Sequence, residues 1–382
     1  MAEMVIVIKL HGTKAALSRR RGFCLYLDDA QQYNKMITPY QQPQPERFAM
    51  AGKTRRAIYL GALFGFVACS TLSLGVPLFD LGTAGPTYWT VLETGDGTVQ
   101  QTVNASNPQG AIYGNVGITL NGKLSDSGPT IHGDLYLGNN ASAQFSGTYV
   151  NNRPVTGTIH LGTGATVSPN SYSYTKVSDN PQPLLTQARN DAIAGSAAAA
   201  ALTPTSTLQS ISLSHTTMTL GPGVYNLKNF LLDHATLTLS GSGYFVFNIS
   251  NPNSVLTANG TFKLNSGKVL LAGGATADHV LFNYLGTKDV AFSGGTGGTV
   301  PGGPDESVLH GIILAMNAKV SLAPGLVVGE IISGKNISIV SGAIVEQPPP
   351  QVPDASSTLA LGCIAIAALL AFRSLAPRSL VR

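Results

Sequence analysis

Residues 217–240 read TMTLGPGVYNLKNFLLDHATLTLS. TMTL (217–220) puts Met218 and Leu220 on one face and Thr217 and Thr219 on the other. TLTL (236–239) repeats this, with Leu237 and Leu239 against Thr236 and Thr238. Alternation of period two, bounded by Gly, Pro, Asn or Asp, marks half-buried strands. TFKL (261–264) has the same form, with Phe262 and Leu264 facing in, and KVSL (319–322), NISIV (336–340), GDLYLG (133–138) and GTIHLG (157–162) extend it. Equivalent strands recur about every 17 to 25 residues, longer than a hairpin and the length of one coil of a β-solenoid. The expected fold is therefore all-β, an irregular β-solenoid, with a β-sandwich as the competing arrangement.

One segment breaks the pattern. PLLTQARNDAIAGSAAAAALTP (183–204) carries Leu184, Leu185, Ala188, Ala192 and Ile193 at helical spacing, then an alanine run. Ala is the strongest helix former and Pro stands at both ends, which predicts one helix of about 18 residues. Its small side chains suit close packing along a sheet.

Composition narrows the class further. Only 11% of the 382 residues are charged, against about a quarter in an average soluble domain. Residues 81–351 hold ten basic and thirteen acidic groups, so the basicity of the chain belongs to its two ends. A nucleic-acid partner, which needs a basic face on the folded part, is not expected. Cys24, Cys69 and Cys363 all lie outside 81–351, which leaves that region without a disulfide or a cysteine metal site.

Both ends carry apolar runs. MAGKTRRAIYLGALFGFVACSTLSLG, beginning at Met50, has basic Lys53, Arg55 and Arg56, an apolar run from Ala57 to Ala68, then small residues. That is the layout of a signal peptide read by the Sec translocon, predicted over 50–78, with 1–49 as a gene-model extension or disordered leader. At the other end, a Pro-rich spacer (347–351) precedes Val352-Pro353-Asp354, then Ser356, Ser357 and Thr358, an apolar run from Leu359 to Phe372, and Arg373, Arg378 and Arg382. A run of fourteen residues is short against the roughly 20 of a permanent span. The arginines would hold its end in the cytoplasm. The segment reads as a membrane anchor that is transient or retained.

A search for catalytic constellations finds scattered groups. Asp96, Asp126, Asp134, Asp179, Asp191, Asp233, Asp278 and Asp289 read as solvated turn residues, and a glycan-cleaving site needs two facing carboxylates. His234 and His279 each follow an Asp before a strand, a repeated step that stacked rungs could turn into a metal site, or simply two similar turns. No cofactor is implied. What remains is surface: Thr217, Thr219, Thr236, Thr238 and Thr261 are candidates for an outward face whose hydroxyls order water or meet an extended ligand. Lys263 and Lys319 are read as interrupting that face at equivalent positions.

Two resemblances sharpen this reading. FDLGTAGPTYWTVLETGDGTV, IYGNVGI, GPTIHGDLYLG and the TLGPGVYNL strand (219–227) after an Ala-rich helix resemble ice-binding-protein-like domains of bacteria. LHGIILAMNAKVSLAPGLVVGEIISGKNISI is similar to the related choice-of-anchor A domains, through Gly311, Ile313, Leu314, Ala315, Asn317, Ala318 and Val320, with Met316 replacing a proline. Together they cover 79–346 and imply a right-handed β-solenoid with an adjacent helix. The tail resembles the VPDSG variant of PEP-CTERM sorting signals of Gram-negative bacteria, with Ala355 and Ser356 where Ser-Gly is usual. That implies an exosortase as processing partner and an exported protein of the cell surface or extracellular matrix. The resulting expectation is a non-enzymatic surface protein that binds ice, polysaccharide or another cell. A polysaccharide-active enzyme on a parallel β-helix is the alternative.

Overall fold

The computed structural model of the chain describes residues 6–10, 13–17, 78–102, 110–251, 260–294, 303 and 305–348. The sorting motif Val352–Thr358, the three terminal arginines and nearly all of 50–78 lie outside the described residues. Residues 1–72 form a separate unit in which Ile6–Leu10 and Thr13–Leu17 pair as an antiparallel hairpin.

From Val91 onward the chain is a parallel β-solenoid of three-sided coils. Each coil crosses a helix face, a ten-strand face and a threonine face in turn. In the second half these crossings begin with Ile211–Ser214, Thr217–Leu220 and Gly223–Leu227, and they repeat with Phe230–Asp233, Thr236–Ser240 and Phe245–Ile249. The ten-strand face is one continuous sheet. The other two faces share a fifteen-stranded sheet, because Val308–Ala315 and Leu326–Ser333 run round the corner between them. Both long strands bend at a glycine in the positive-φ region, Gly311 (φ 145) and Gly329 (φ 154). The spacing between coils reaches 32 residues at Phe230 to Phe262, where the loop after Ile249 intervenes.

Coils do not stack in chain order. The chain starts winding in the middle of the stack at Val91–Glu93 and proceeds to one end at Thr175–Val177. The helix then carries it to the other end, and the second half winds back until its last coil meets the first. There Ile331 pairs with Val91, Ile337 with Val99 and Ile344 with Ala111, all parallel. Inward columns therefore run through both halves without a break: Tyr225, Phe247, Phe282, Ile313, Ile331, Val91, Val116, Leu135 and Ile159 stand in successive register. Tyr225, Phe247 and Phe282 stack at 5.1 and 4.9 Å, each contact adding about 0.5–1.5 kcal/mol to the burial of the rings.

The glycine-headed motifs of the first half acquire a physical meaning. Gly114, Gly133 and Gly157 stand above one another at a corner, and a Cβ on Gly133 would overlap the carbonyl of Gly114. The following residues form a relay in which the Asp134 N–H donates to Asn115 Oδ1 (3.0 Å) and the Thr158 N–H to Asp134 Oδ1 (2.7 Å). Each corner thus satisfies the main chain of the next coil.

The helix, Gln182–Ala200, lies along the helix face and buries Leu185, Ala188, Ala192, Gly195, Ser196 and Ala199. Of the five apolar residues at helical spacing, Leu185, Ala188 and Ala192 are buried, whereas Ile193 is 47% exposed. An asparagine ladder receives the helix end. Asn226, Asn248 and Asn283 are in register, Asn248 Nδ2 donates to the Ala199 carbonyl (2.7 Å), and Asn283 Nδ2 donates to the Ser196 carbonyl (2.9 Å). Asn283 Oδ1 also accepts the Ser196 hydroxyl at 2.7 Å. The ladder thus adds side-chain donors to the last two turns of the helix, at Ser196 and Ala199. Asn283→Ala strands these buried groups and should cost about 2–3 kcal/mol in urea denaturation. A loss below about 0.5 kcal/mol would show that the ladder does not hold the helix.

Candidate surface-binding faces

Outward residues of the threonine face build the first candidate patch. Thr217 pairs with Thr236 and Thr219 with Thr238, so these four hydroxyls form a two-by-two grid at the end of the stack. The next coil ends the grid, because Lys268 follows Thr236 and Leu270 follows Thr238. Thr261 is not brought to this grid: it precedes Phe262 on the ten-strand side, where its N–H donates to Asn229 Oδ1 (3.0 Å). Lys263 and Lys319 are not equivalent either. Lys263 pairs with Ala291 and Ala291 with Ser321, which leaves Lys319 two positions out of register, and both belong to the ten-strand side. The lysine that interrupts the threonines is Lys268.

The ten-strand face is the larger candidate. One outward row passes through Ser212, Leu231, Lys263, Ala291, Ser321, Ser338, Gln100, Ser125 and Gln144 to Ser168. A neighbouring row on the lower strands holds Thr98, Lys123, Ser142 and Thr166. Strands in register repeat at about 4.8 Å, so these side chains stand on a regular, charge-poor surface. The TVQQT and KLSDS strands carry part of this face, and each offers a single apolar inward residue, Val99 or Leu124, followed by a polar one, Gln101 or Asp126.

Three carboxyl groups lie inside the fold. Asp126, read from sequence as a solvated turn residue, is fully buried, because it follows inward Leu124 by two residues and so shares its side of the strand. It faces the interior beside Gln101 of the adjoining coil, and neither side chain makes a hydrogen bond. Burial pushes its carboxyl up to about 8. Glu93 is also raised by burial, although it accepts the N–H groups of Gly95 (2.7 Å) and Gly97 (2.9 Å). Glu330 is wholly buried without a hydrogen bond, and burial raises it well above the ordinary range. Glu93 ends the first strand of the first coil, Asp126 faces the interior of the next coil, and Glu330 lies on the strand that joins the two halves. His234 stacks on His215 at 5.0 Å rather than approaching His279, which lies against Tyr244. Among the described residues no cluster of three His, Cys, Asp or Glu could hold a metal ion, and no helix is long and apolar enough to cross a membrane.

A parallel solenoid with a helix along one face, a polar outward row on its ten-strand face and a sorting segment after its last coil defines the class of protein. The ice-binding-like family matches residues 99–345, and a VPDSG-CTERM motif matches 351–375. The chain belongs to the ice-binding-like family and ends in a sorting motif of the kind that an exosortase-like enzyme processes. Similar solved structures include the ice-binding protein of the Antarctic ascomycete Antarctomyces psychrotrophicus, at 19% identity, 70% of this chain, 97% of that one and a TM-score of 0.38. The ice-binding protein of an Arctic yeast is similar at 17% identity, 73% and 98% coverage and a TM-score of 0.40. An ice-binding protein domain of Shewanella frigidimarina is similar at 15% identity, 71% and 98% coverage and a TM-score of 0.40. No curated protein matches the chain.

The buried acids set a pH dependence. Asp126 is raised above its unfolded value, so its stabilising effect is complete below about pH 4 and fades as pH climbs toward 8. Stability should fall by about 1.4 kcal/mol per pH unit across that window from this group alone. Asp126→Asn should flatten the slope, read as urea midpoint against pH; an unchanged slope would show that Asp126 ionises freely in the folded protein.

Proposed function

We propose that the protein is an exported ice-binding-like protein whose ten-strand face lies against an extended hydrogen-bonding surface, ice in the first instance. The observation that carries this reading is the uninterrupted register of ten parallel strands on that face. A lattice repeats in two directions, and a ligand patch for it must repeat too. The row through Ser321, Ser338, Gln100 and Ser125 places hydroxyl and amide groups at one strand spacing, with main-chain hydrogen bonds fixing the repeat and Ser338, 8% exposed, lying lowest in it. The threonine grid of Thr217, Thr219, Thr236 and Thr238 is a smaller patch on an adjoining face. Family membership and the sorting motif support the exported, surface-binding reading. A signal peptide over 50–78 and removal of the tail by an exosortase complete it.

Ser125→Arg and Ser321→Arg in one chain should raise the concentration needed to inhibit ice recrystallisation by about tenfold, or about 1.4 kcal/mol. Thr238→Arg should leave that concentration unchanged. The reverse pattern would move the site to the threonine face, and no thermal hysteresis or recrystallisation inhibition in the unaltered protein would sink the ice reading.

A further inference from the structure

The carboxyl-terminal tail leaves the solenoid from the middle of the stack. Ile344–Glu346 is the last strand, and it lies between Leu326–Ser333 and Ala111–Tyr113. Beyond it Gln347 is held from both sides: its N–H donates to the Tyr113 carbonyl (3.2 Å), and its Nε2 donates to the Pro86 carbonyl (3.2 Å). The sorting motif begins at residue 351. An extended chain spans at most about 3.6 Å per residue, so the residues from Pro348 to Thr358, before the apolar run that starts at Leu359, reach about 40 Å at most. Whenever the apolar run after the motif is in a bilayer, the part of the solenoid around Gln347 stays within about 40 Å of that bilayer.

That part of the surface carries exposed aromatic side chains. Tyr113 is 43% and Tyr88 44% exposed, whereas the other Tyr, Phe and Trp rings among the described residues are buried or half-buried. They flank the exit. Tyr88 is joined to the Tyr113 strand through its carbonyl, which accepts from Asn115 Nδ2 (3.0 Å), while the ring of Tyr113 stacks on exposed His132 at 4.6 Å and 5°. Ile344–Glu346 and Ala111–Tyr113 contain no Lys or Arg, so the strands beside the exit offer no cation to an anionic surface. Tyrosine has an apolar body and a polar tip, and it concentrates at the level of lipid headgroups.

We propose that Tyr88, Tyr113 and His132 form a membrane-interface patch that seats the precursor on an uncharged or zwitterionic lipid surface while its tail is in the bilayer. The reading of the tail as membrane-inserting is the premise. The patch lies at the corner between the threonine and helix faces, which in a three-sided coil is the edge opposite the ten-strand face. Seating on this edge turns the ten-strand face away from the membrane. The precursor is therefore oriented for its ligand before release, and the interface contact is weak enough to be given up once the tail is cut, since two or three rings alone do not anchor a domain.

The test uses the full chain reconstituted into phosphatidylcholine vesicles, with amide hydrogen exchange read against the same chain in detergent. Slower exchange in 86–90, 111–115 and 131–133, with the ten-strand face unchanged, is expected. Tyr88→Ser with Tyr113→Ser should abolish that slowing while the chain still floats with the vesicles, and Tyr88→Trp with Tyr113→Trp should keep it. Flotation without slowing overturns the patch alone; failure to float overturns the patch and the membrane reading of the tail together. Slowing that appears only with anionic lipid, or equally with a soluble neutral polysaccharide and no vesicles, also overturns it, the last outcome marking a glycan platform instead.

Discussion

Everything in this molecule depends on the seam where Ile331, Ile337 and Ile344 pair with Val91, Val99 and Ala111. Six strands far apart in the chain must meet there in register, and a solenoid with that interface open would expose two unpaired sheet edges in its middle. The helix makes the meeting possible by its length. Nineteen residues rise about 28 Å. Between Leu135–Leu137 and Phe245–Ile249 on the helix face there are six strand spacings, about 29 Å at 4.8 Å each. The start of the helix is tied at one level, where Gln182 Oε1 accepts the Asn139 N–H (2.7 Å), and its end at the other, on Asn248. A helix of this length brings the second half back to begin at the height from which its own coils can descend onto the first.

The segment before the first coil closes the seam from outside. Phe79, Leu81, Ala84 and Trp89 are buried with Leu185, Ile312 and Ile332 in a second core between helix and sheet. Asp191 of the helix accepts the N–H and the hydroxyl of Thr83 (2.8 Å each), and Trp89 Nε1 donates to the Thr83 carbonyl (2.7 Å). These bonds hold Asp191 below the ordinary carboxylate range, the Thr83 N–H contributing most. Glu330 lies on the strand that makes the seam, buried and without a hydrogen bond, and burial raises its carboxyl well above the ordinary range. A buried neutral carboxyl costs less than a buried charge, which is the cause of that shift.

Much of this could be read from the residues, and the part that could not has a physical explanation. Alternation in TMTL, TLTL, TFKL and KVSL gave both the strands and their inward side, because burial of one face imposes period two. The helix was legible in its alanines and much of its packed stripe in Leu185, Ala188 and Ala192, while exposed Ile193 and buried Gly195 depart from that apolar spacing. Parity alone would have placed Asp126 inside, two residues after Leu124, and Gln101 two after Val99. Burial of Glu330 was out of reach, because its outer side is closed by segments distant in the chain. The two-register error between Lys263 and Lys319 has the same root: loops of unequal length separate the coils, and counting residues across them does not preserve alignment.

The main chain fixes where side chains stand on the ten-strand face, but not which ones stand there. Hydrogen-bonded register produces the repeat whatever the outward residues are, so the fold is equally compatible with a hydroxyl lattice or a mixed surface. In this chain Leu231 and Lys263 stand next to each other near one end of the row, whereas Ala291, Ser321, Ser338 and Gln100 follow without a charge. The most regular stretch is therefore central, straddling the seam, where the coils of the two halves are locked by parallel pairing on either side. A ligand that needs periodicity would find it where the fold is most constrained and would lose it toward the free end. Ligand preference and stability thus converge on the same coils.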